Sequence, residues 1–208
     1  MAQPKQERAI RTRWLILEAA AEVFDRCGYS GAAITKIMEQ ASTTQGAMYF
    51  HFKSKEDLAR AVIVHQADRL DLPKSPKGMQ QLVDLTLYLA VELRHNVLLR
   101  AGVRLAVEQE ESGLSEYSVY EWWIEQFSKE LVVARERGEL LPNVDEWGFA
   151  RLLVASFTGS QVMSQIATCR MDLPERIAQL WRYLLPGVAT QQVRESLKVD
   201  IHRAGVWS

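Results

Sequence analysis

Apolar residues recur every three or four positions along nearly the whole chain, which is the period of an amphipathic helix. No run rich in Val, Ile and Thr alternates with polar residues between turn signals, as a strand would. The pattern therefore predicts an all-α fold. Trp14, Leu15, Leu17, Ala20, Ala21, Val23 and Phe24 form a broad apolar face on a first helix over residues 7–27, and Gly28 stands where a helix stops. Two short helices follow, 34–41 and 44–50, with a break at Ser42–Thr43. Lys53–Ser54 is the next break. Ser54 can cap a helix whose first turn carries Glu56 and Asp57 and which runs to about residue 70. Pro73, Pro76 and Gly78 make the following stretch a loop. Further helices are predicted at 79–95, 97–110, 116–137, 145–168, 174–186 and 190–200. Polar or Gly/Pro-bearing separators lie at 95–96, 110–113, 138–142 and 172–174, and the polar tail 204–208 is expected to fray.

A long apolar helix followed by two short helices and a tight turn is the layout of a helix-turn-helix. The expected organisation is a three-helix DNA-binding domain over residues 1–60 and a larger helical domain over 61–208. Charge adds a little. The 208 residues carry a net charge of −1, but residues 1–60 hold 9 Lys+Arg against 7 Asp+Glu, leaving 16 against 19 in the rest. The sign of that asymmetry favours an N-terminal part that meets phosphate. Hydrophobic content of 48% and charged content of 25% are those of an ordinary globular chain. No apolar run reaches the ~18 residues that span a bilayer, and the charged start is unlike a secretory signal, so a cytoplasmic location is expected. Cys27 and Cys169 fit no metal or disulfide spacing and read as two buried, reduced thiols.

The chemistry concentrates in STTQGAMYFHFKSKEDL, residues 42–58. The second helix of such a unit enters the major groove with its N-terminal residues toward the bases. Thr44 can cap it. Gln45 can pair bidentately with adenine, and Gly46 removes a side chain where DNA comes close. Tyr49 and His51 offer a hydroxyl and a ring nitrogen to phosphate, Lys55 adds a cation beside the next helix N-terminus, and Lys36 can touch the flanking backbone. Phe50 and Phe52 read as core residues clamping the recognition helix onto the first helix. For Tyr49, a buried ring with a satisfied hydroxyl stands as the alternative.

The stretch GYSGAAITKIMEQASTTQGAMYFHFKSKEDL resembles the DNA-binding signature of the tetracycline-repressor (TetR) family of bacterial transcriptional regulators. Phe24, Gly28–Tyr29, Ile34, Ile37, Gly46, Tyr49–Phe52, Ser54–Glu56 and Leu58 carry the resemblance. Three departures stand out. Ala32–Ala33 replaces the usual capping threonine. Ala41–Ser42–Thr43 replaces Ala-Gly-Val, so Ser42 is expected to bear a positive φ at a cost of roughly 1 kcal/mol. Gln45 stands where relatives carry lysine, so their operator sequence does not transfer. The resemblance implies a homodimer, with the 145–168 and 174–186 helices building its four-helix interface.

The run Leu99–Ala106 and the pair Glu121–Trp122 are similar to the γ-butyrolactone receptor branch of that family in actinobacteria. That resemblance implies a repressor released from a palindromic operator by a small lactone- or furan-type signal, which derepresses antibiotic genes. It places Trp122 and Thr158 in the pocket. Gln126 lies one turn beyond Trp122 on the same face, Val162 one turn beyond Thr158, and Tyr88 and Gln66 are candidates by helix position. Trp123 is adjacent and can exchange roles with Trp122. The pI of 6.4 suits a hormone receptor rather than the basic pseudo-receptors of the branch. The alternative is a TetR-type regulator of efflux or metabolism with an unrelated hydrophobic ligand. An arginine cluster that would suit acyl-CoA does not stand out. No Ser/His/Asp set, phosphate loop or His/Cys cluster suggests an enzyme, a metal or a cofactor, and His65 and His95 read as isolated surface residues.

Overall fold

The computed structural model describes residues 3–74, 76–108 and 119–203. Among these, every regular element is helical, and one isolated antiparallel bridge joins Leu140 and Ala189. The chain forms two compact units, one of Met1–Leu70 with Asn96–Val119 and one of Asp71–His95 with Tyr120–Ser208.

The first unit holds α1 (Gln3–Gly31), α2 (Ile34–Gln40), α3 (Gln45–His51), α4 (Lys55–His65) and α6 (Val97–Val107), α5 belonging to the other unit. Its core holds Leu17, Ala20, Ala21, Val23 and Phe24 of the predicted apolar face of α1, buried like Ile37, Met48, Phe52, Leu58 and Val62; Leu15 of that face is instead exposed, and Ile16, one position on, is fully buried. α6 lies against both α1 and α4. Gly28 breaks α1 at φ 69°, ψ −179°, a region essentially reserved for glycine. α4 is shorter than its pattern predicts. After His65 the backbone turns back on itself, with Asp68 N–H bonded to His65 O and the Asp68 carboxylate on His65 Nδ1.

The second unit holds α5 (Met79–His95), α7 (Val119–Glu136), α8 (Glu146–Thr168), α9 (Leu173–Val188) and α10 (Gln191–Ser196). α5 is buried almost all round, and α9 packs on α5 and α8. Fully buried Trp181 of α9 donates its indole N–H to Thr86 Oγ1 at 2.7 Å. α10 stops at Ser196, short of the expected 200, because Gln80 takes up the next backbone groups. Its amide donates to Lys198 O and accepts from Lys198 N, both at 2.9 Å. Arg203 then forks onto the buried Asp84 carboxylate at 3.0 and 2.7 Å. The expected ends at 109–110 and 116, the separator at 110–113 and the frayed tail 204–208 lie outside the described residues. Both cysteines are free, but only Cys27 is partly buried. Cys169 is exposed, because it caps α8 in the left-handed conformation.

Candidate nucleic-acid interface

The turn before α3 is fully accounted for by backbone bonds. Ser42 N–H reaches Glu39 O at 3.1 Å and Thr43 N–H reaches Met38 O at 3.0 Å, the paired bonds of a Schellman motif. That motif needs a left-handed residue, and Ser42 occupies it at φ 48°. α2 starts without a side-chain cap at Ala33, in keeping with the missing threonine. Thr44 caps α3 through Ala47 N–H, and Ser54 caps α4 through Asp57 N–H.

On α3, Gln45, Gly46, Tyr49 and Phe50 are all exposed, while Met48 is fully buried. At 100° per residue the four exposed positions cover one outward face and Met48 points the other way. Phe50 is therefore not a core residue, contrary to the expectation from sequence. It lies 200° from Met48 around the helix and is 79% exposed, its ring meeting His51 edge-on with centroids 5.0 Å apart. Phe52, just past the helix, is fully buried and does clamp the unit. Tyr49 is 45% exposed, so the buried-ring alternative does not hold.

Arg13, which holds this face, carries no local signal in the sequence. Arg13 of α1 stacks 4.2 Å above the Phe52 ring and donates to His51 O at 2.9 Å, closing the C-terminus of α3. Burial, and then the Arg13 charge, push the His51 imidazole below its usual range. Both effects favour the neutral imidazole, which can still offer a hydrogen bond. Tyr29 donates to Glu56 Oε1 at 2.9 Å, its phenol pushed up to about 12 by burial and then by Glu56. The Lys55 ammonium sits 4.5 Å over the Tyr29 ring, while Lys36 is exposed on α2.

The same Tyr29 is tied to α6. Its backbone N–H donates to Glu108 Oε2 at 2.8 Å, and Arg104 bonds both Glu108 Oε1 and Asp25 O at 2.8 Å. Arg100 adds an ion pair to Asp25 at 2.8 Å. A continuous set of polar contacts thus links α6, the end of α1 and the start of α4.

The ligand candidates fall on both units. In the first, Gln66 is buried against α6. Its amide N–H donates to Ile63 O at 3.1 Å and its carbonyl oxygen has no partner. A Cβ on Gly102 would stand 2.6 Å from Gln66 Cβ, so glycine is what lets the two helices close there. In the second unit, Trp122 is half-buried and Trp123 buried, their rings edge-to-face at 4.7 Å. Gln126 is half-buried and its amide turns back to Trp122 O at 3.5 Å. Thr158 and Val162 are half-buried on successive turns of α8. Tyr88 is buried on α5, its phenol pushed up by burial and then by Glu92.

Comparison with known proteins decides what this scaffold is. Residues 16–62 match the model of bacterial regulatory proteins of the tetR family, and residues 77–190 match a tetracyclin repressor-like C-terminal domain. The chain belongs to the TetR family. It is 40% identical over 198 residues to the A-factor receptor protein of Streptomyces griseus, covering 94% of this chain and 70% of that protein. Full-length native TylP, a TetR regulator from Streptomyces fradiae, shares 38% identity at a TM-score of 0.86, with 96% of each chain covered. A γ-butyrolactone receptor (ArpA-like protein) shares 31% identity at a TM-score of 0.74, over 96% of this chain and 98% of that one. Lys36, Thr44, Gln45, Gly46, Tyr49, His51 and Lys55 all lie within the TetR DNA-binding match. Tyr88, Trp122, Gln126, Thr158 and Val162 lie within the C-terminal match, and Gln66 falls between the two. Among the described residues no helix is long and apolar enough to cross a membrane.

Proposed function

We propose that this TetR-family chain is a ligand-released repressor. It binds a palindromic operator as a homodimer and leaves it when a γ-butyrolactone- or furan-type signal occupies the C-terminal domain. The genes so controlled would be those of antibiotic biosynthesis. The observation that carries this reading is the likeness to the A-factor receptor along 94% of the chain. The protein works by binding, without a catalytic step, and acts in the cytoplasm, on the nucleoid when DNA-bound.

The division of labour follows the two domains, residues 1–60 for the operator and 61–208 for ligand and partner copy. Lys36, Thr44, Gln45, Gly46, Tyr49, His51 and Lys55 are the operator set. Trp122, Gln126, Thr158, Val162 and Tyr88 are the ligand candidates of the second unit, and Gln66 is the candidate of the first. Two features support it. The unpartnered Gln66 carbonyl is a buried acceptor suited to a ligand hydroxyl, since leaving such a group unsatisfied costs about 1–3 kcal/mol. α8 and α9 also expose Leu152, Met163, Ile166 and Tyr183, with open space over Gly159 and Gly187, which suits close helix packing against a second copy.

In the operator-bound dimer the two α3 helices stand about one DNA turn, roughly 34–36 Å, apart. Ligand must bind a splayed state better than this one, or no population shifts. α6 is the transmitting element, gripping α1 and α4 through Arg100, Arg104 and Glu108. The test is a mobility shift with an operator selected from random duplex DNA, titrated with a γ-butyrolactone. Release supports the reading, and an unchanged shift at saturating lactone overturns it. Trp122→Ala should abolish release while sparing DNA binding. Loss of both would assign Trp122 a structural role instead.

A further inference from the structure

A phenyl ring left 79% exposed beside fully buried Met48 and Phe52 contributes little to the fold. It is also held in place, since the His51 ring meets it edge-on at 83°. Helix geometry says what lies beside the ring. Residues four apart share a helix face, so Phe50 and Gly46 are neighbours on the outward side of α3. A Cβ built on Gly46 would find no heavy atom within 4 Å. Phe50 and Gly46 therefore set an exposed ring and an open stretch of bare backbone on the same outward face, which also carries Gln45 and Tyr49. Lys36 on α2 and Lys53 in the segment after α3 are exposed cations of the same unit.

Resting on the repressor reading above, we propose that Phe50 is a specificity-determining residue that reads the C5-methyl group of a thymine in each operator half-site. The chemistry narrows the choice. In the major groove adenine, guanine and cytosine present only hydrogen-bond donors and acceptors at the positions a side chain reaches, and thymine alone adds a methyl group. A phenyl ring offers nothing to an exocyclic amine and leaves it desolvated, whereas it gains contact with a methyl. Gly46 supplies the room for that methyl to seat. The thymine lies at a different base step from the one Gln45 addresses, because five residues of helix separate the two side chains by about 7.5 Å along the axis.

The test uses the full-length protein and an operator selected by it from random duplex DNA, with thymines replaced singly by deoxyuridine, which removes only the methyl. The wild type should weaken about fourfold at one position per half-site, and about fifteenfold when both half-sites are changed, from the usual gain on burying one methyl. Phe50→Ala should bind the thymine and uracil operators equally, with its melting temperature unchanged because the ring is exposed. Phe50→Leu should keep part of the discrimination. The proposal is overturned if no thymine is sensitive, or if the uracil penalty survives in Phe50→Ala. It is likewise overturned if Phe50→Ala leaves DNA binding intact and instead changes self-association, which would make the ring a protein contact. Failure of the wild type to select any operator would overturn the repressor reading itself, a result distinct from each of these.

Discussion

Replacing Gly46 with alanine should separate folding from DNA binding in one step. Gly46 sits in the first turn of α3, and nothing lies within 4 Å of the Cβ that alanine would add. The substitution therefore costs no packing and removes the conformational freedom that glycine gives the unfolded chain. A Gly-to-Ala change in a compatible helical position stabilises by about 0.5–1 kcal/mol. For a chain of this size that corresponds to a rise in melting temperature of roughly 1–4 °C. In the groove the sign reverses. Overpacking an already close contact by one methyl costs about 1–3 kcal/mol, so operator affinity should fall by roughly fivefold to 150-fold. Calorimetry gives the first quantity, and a mobility shift at fixed salt the second, since phosphate contacts make affinity steeply salt-dependent. A destabilised variant would mean Gly46 serves the fold. A stabilised variant with wild-type DNA affinity would mean this face does not enter the groove.

Gly28→Ala should do the opposite and destabilise by about 1–3 kcal/mol, because φ 69°, ψ −179° strains any side chain and the new Cβ would meet Arg104 and Glu108 within 3 Å; chemical denaturation measures it, and an unchanged midpoint refutes the strain. Arg203→Met leaves the fully buried Asp84 carboxylate without its ion pair and should cost about 3–5 kcal/mol in unfolding, whereas the double variant with Asp84→Leu should recover much of it. Asp172 is held down to about 2 by hydrogen bonds from Ser164 and Thr168 and by Arg176. Its folded-state value lies below the unfolded one, so its contribution is complete above pH 4 and is lost as pH falls toward 2. Melting temperatures between pH 2 and 5 should therefore fall more steeply in the wild type than in Asp172→Asn, and parallel curves would refute this.

Much of the fold is legible in the chain because local signals agree with one another. Thr44 and Ser54 mark helix starts as caps, and each accepts the expected backbone N–H. Even the departure at Ser42 was readable, since the turn geometry demands a left-handed residue there whatever its identity. Phe50 was misread because aromatic content suggested core, while helical phase from Met48 turns the ring outward. The phase was available and outweighs residue type on so short a helix. Arg13 on His51 O and Glu108 on Tyr29 N–H were not readable at all. They join residues 38 and 79 positions apart, and no local pattern encodes such a pairing. The ligand side was least legible, because half-buried side chains such as Trp122 and Thr158 look alike in sequence whether they line a pocket or pack a core.

Release of the repressor requires ligand and operator to favour different states of one protein. The most direct test is reciprocity: the affinity for a γ-butyrolactone is measured by calorimetry on the free protein and on its operator complex. The lactone should bind the operator complex more weakly, by the same factor by which it weakens operator binding. Equal lactone affinity for the two forms would contradict the account, however tightly each ligand binds alone.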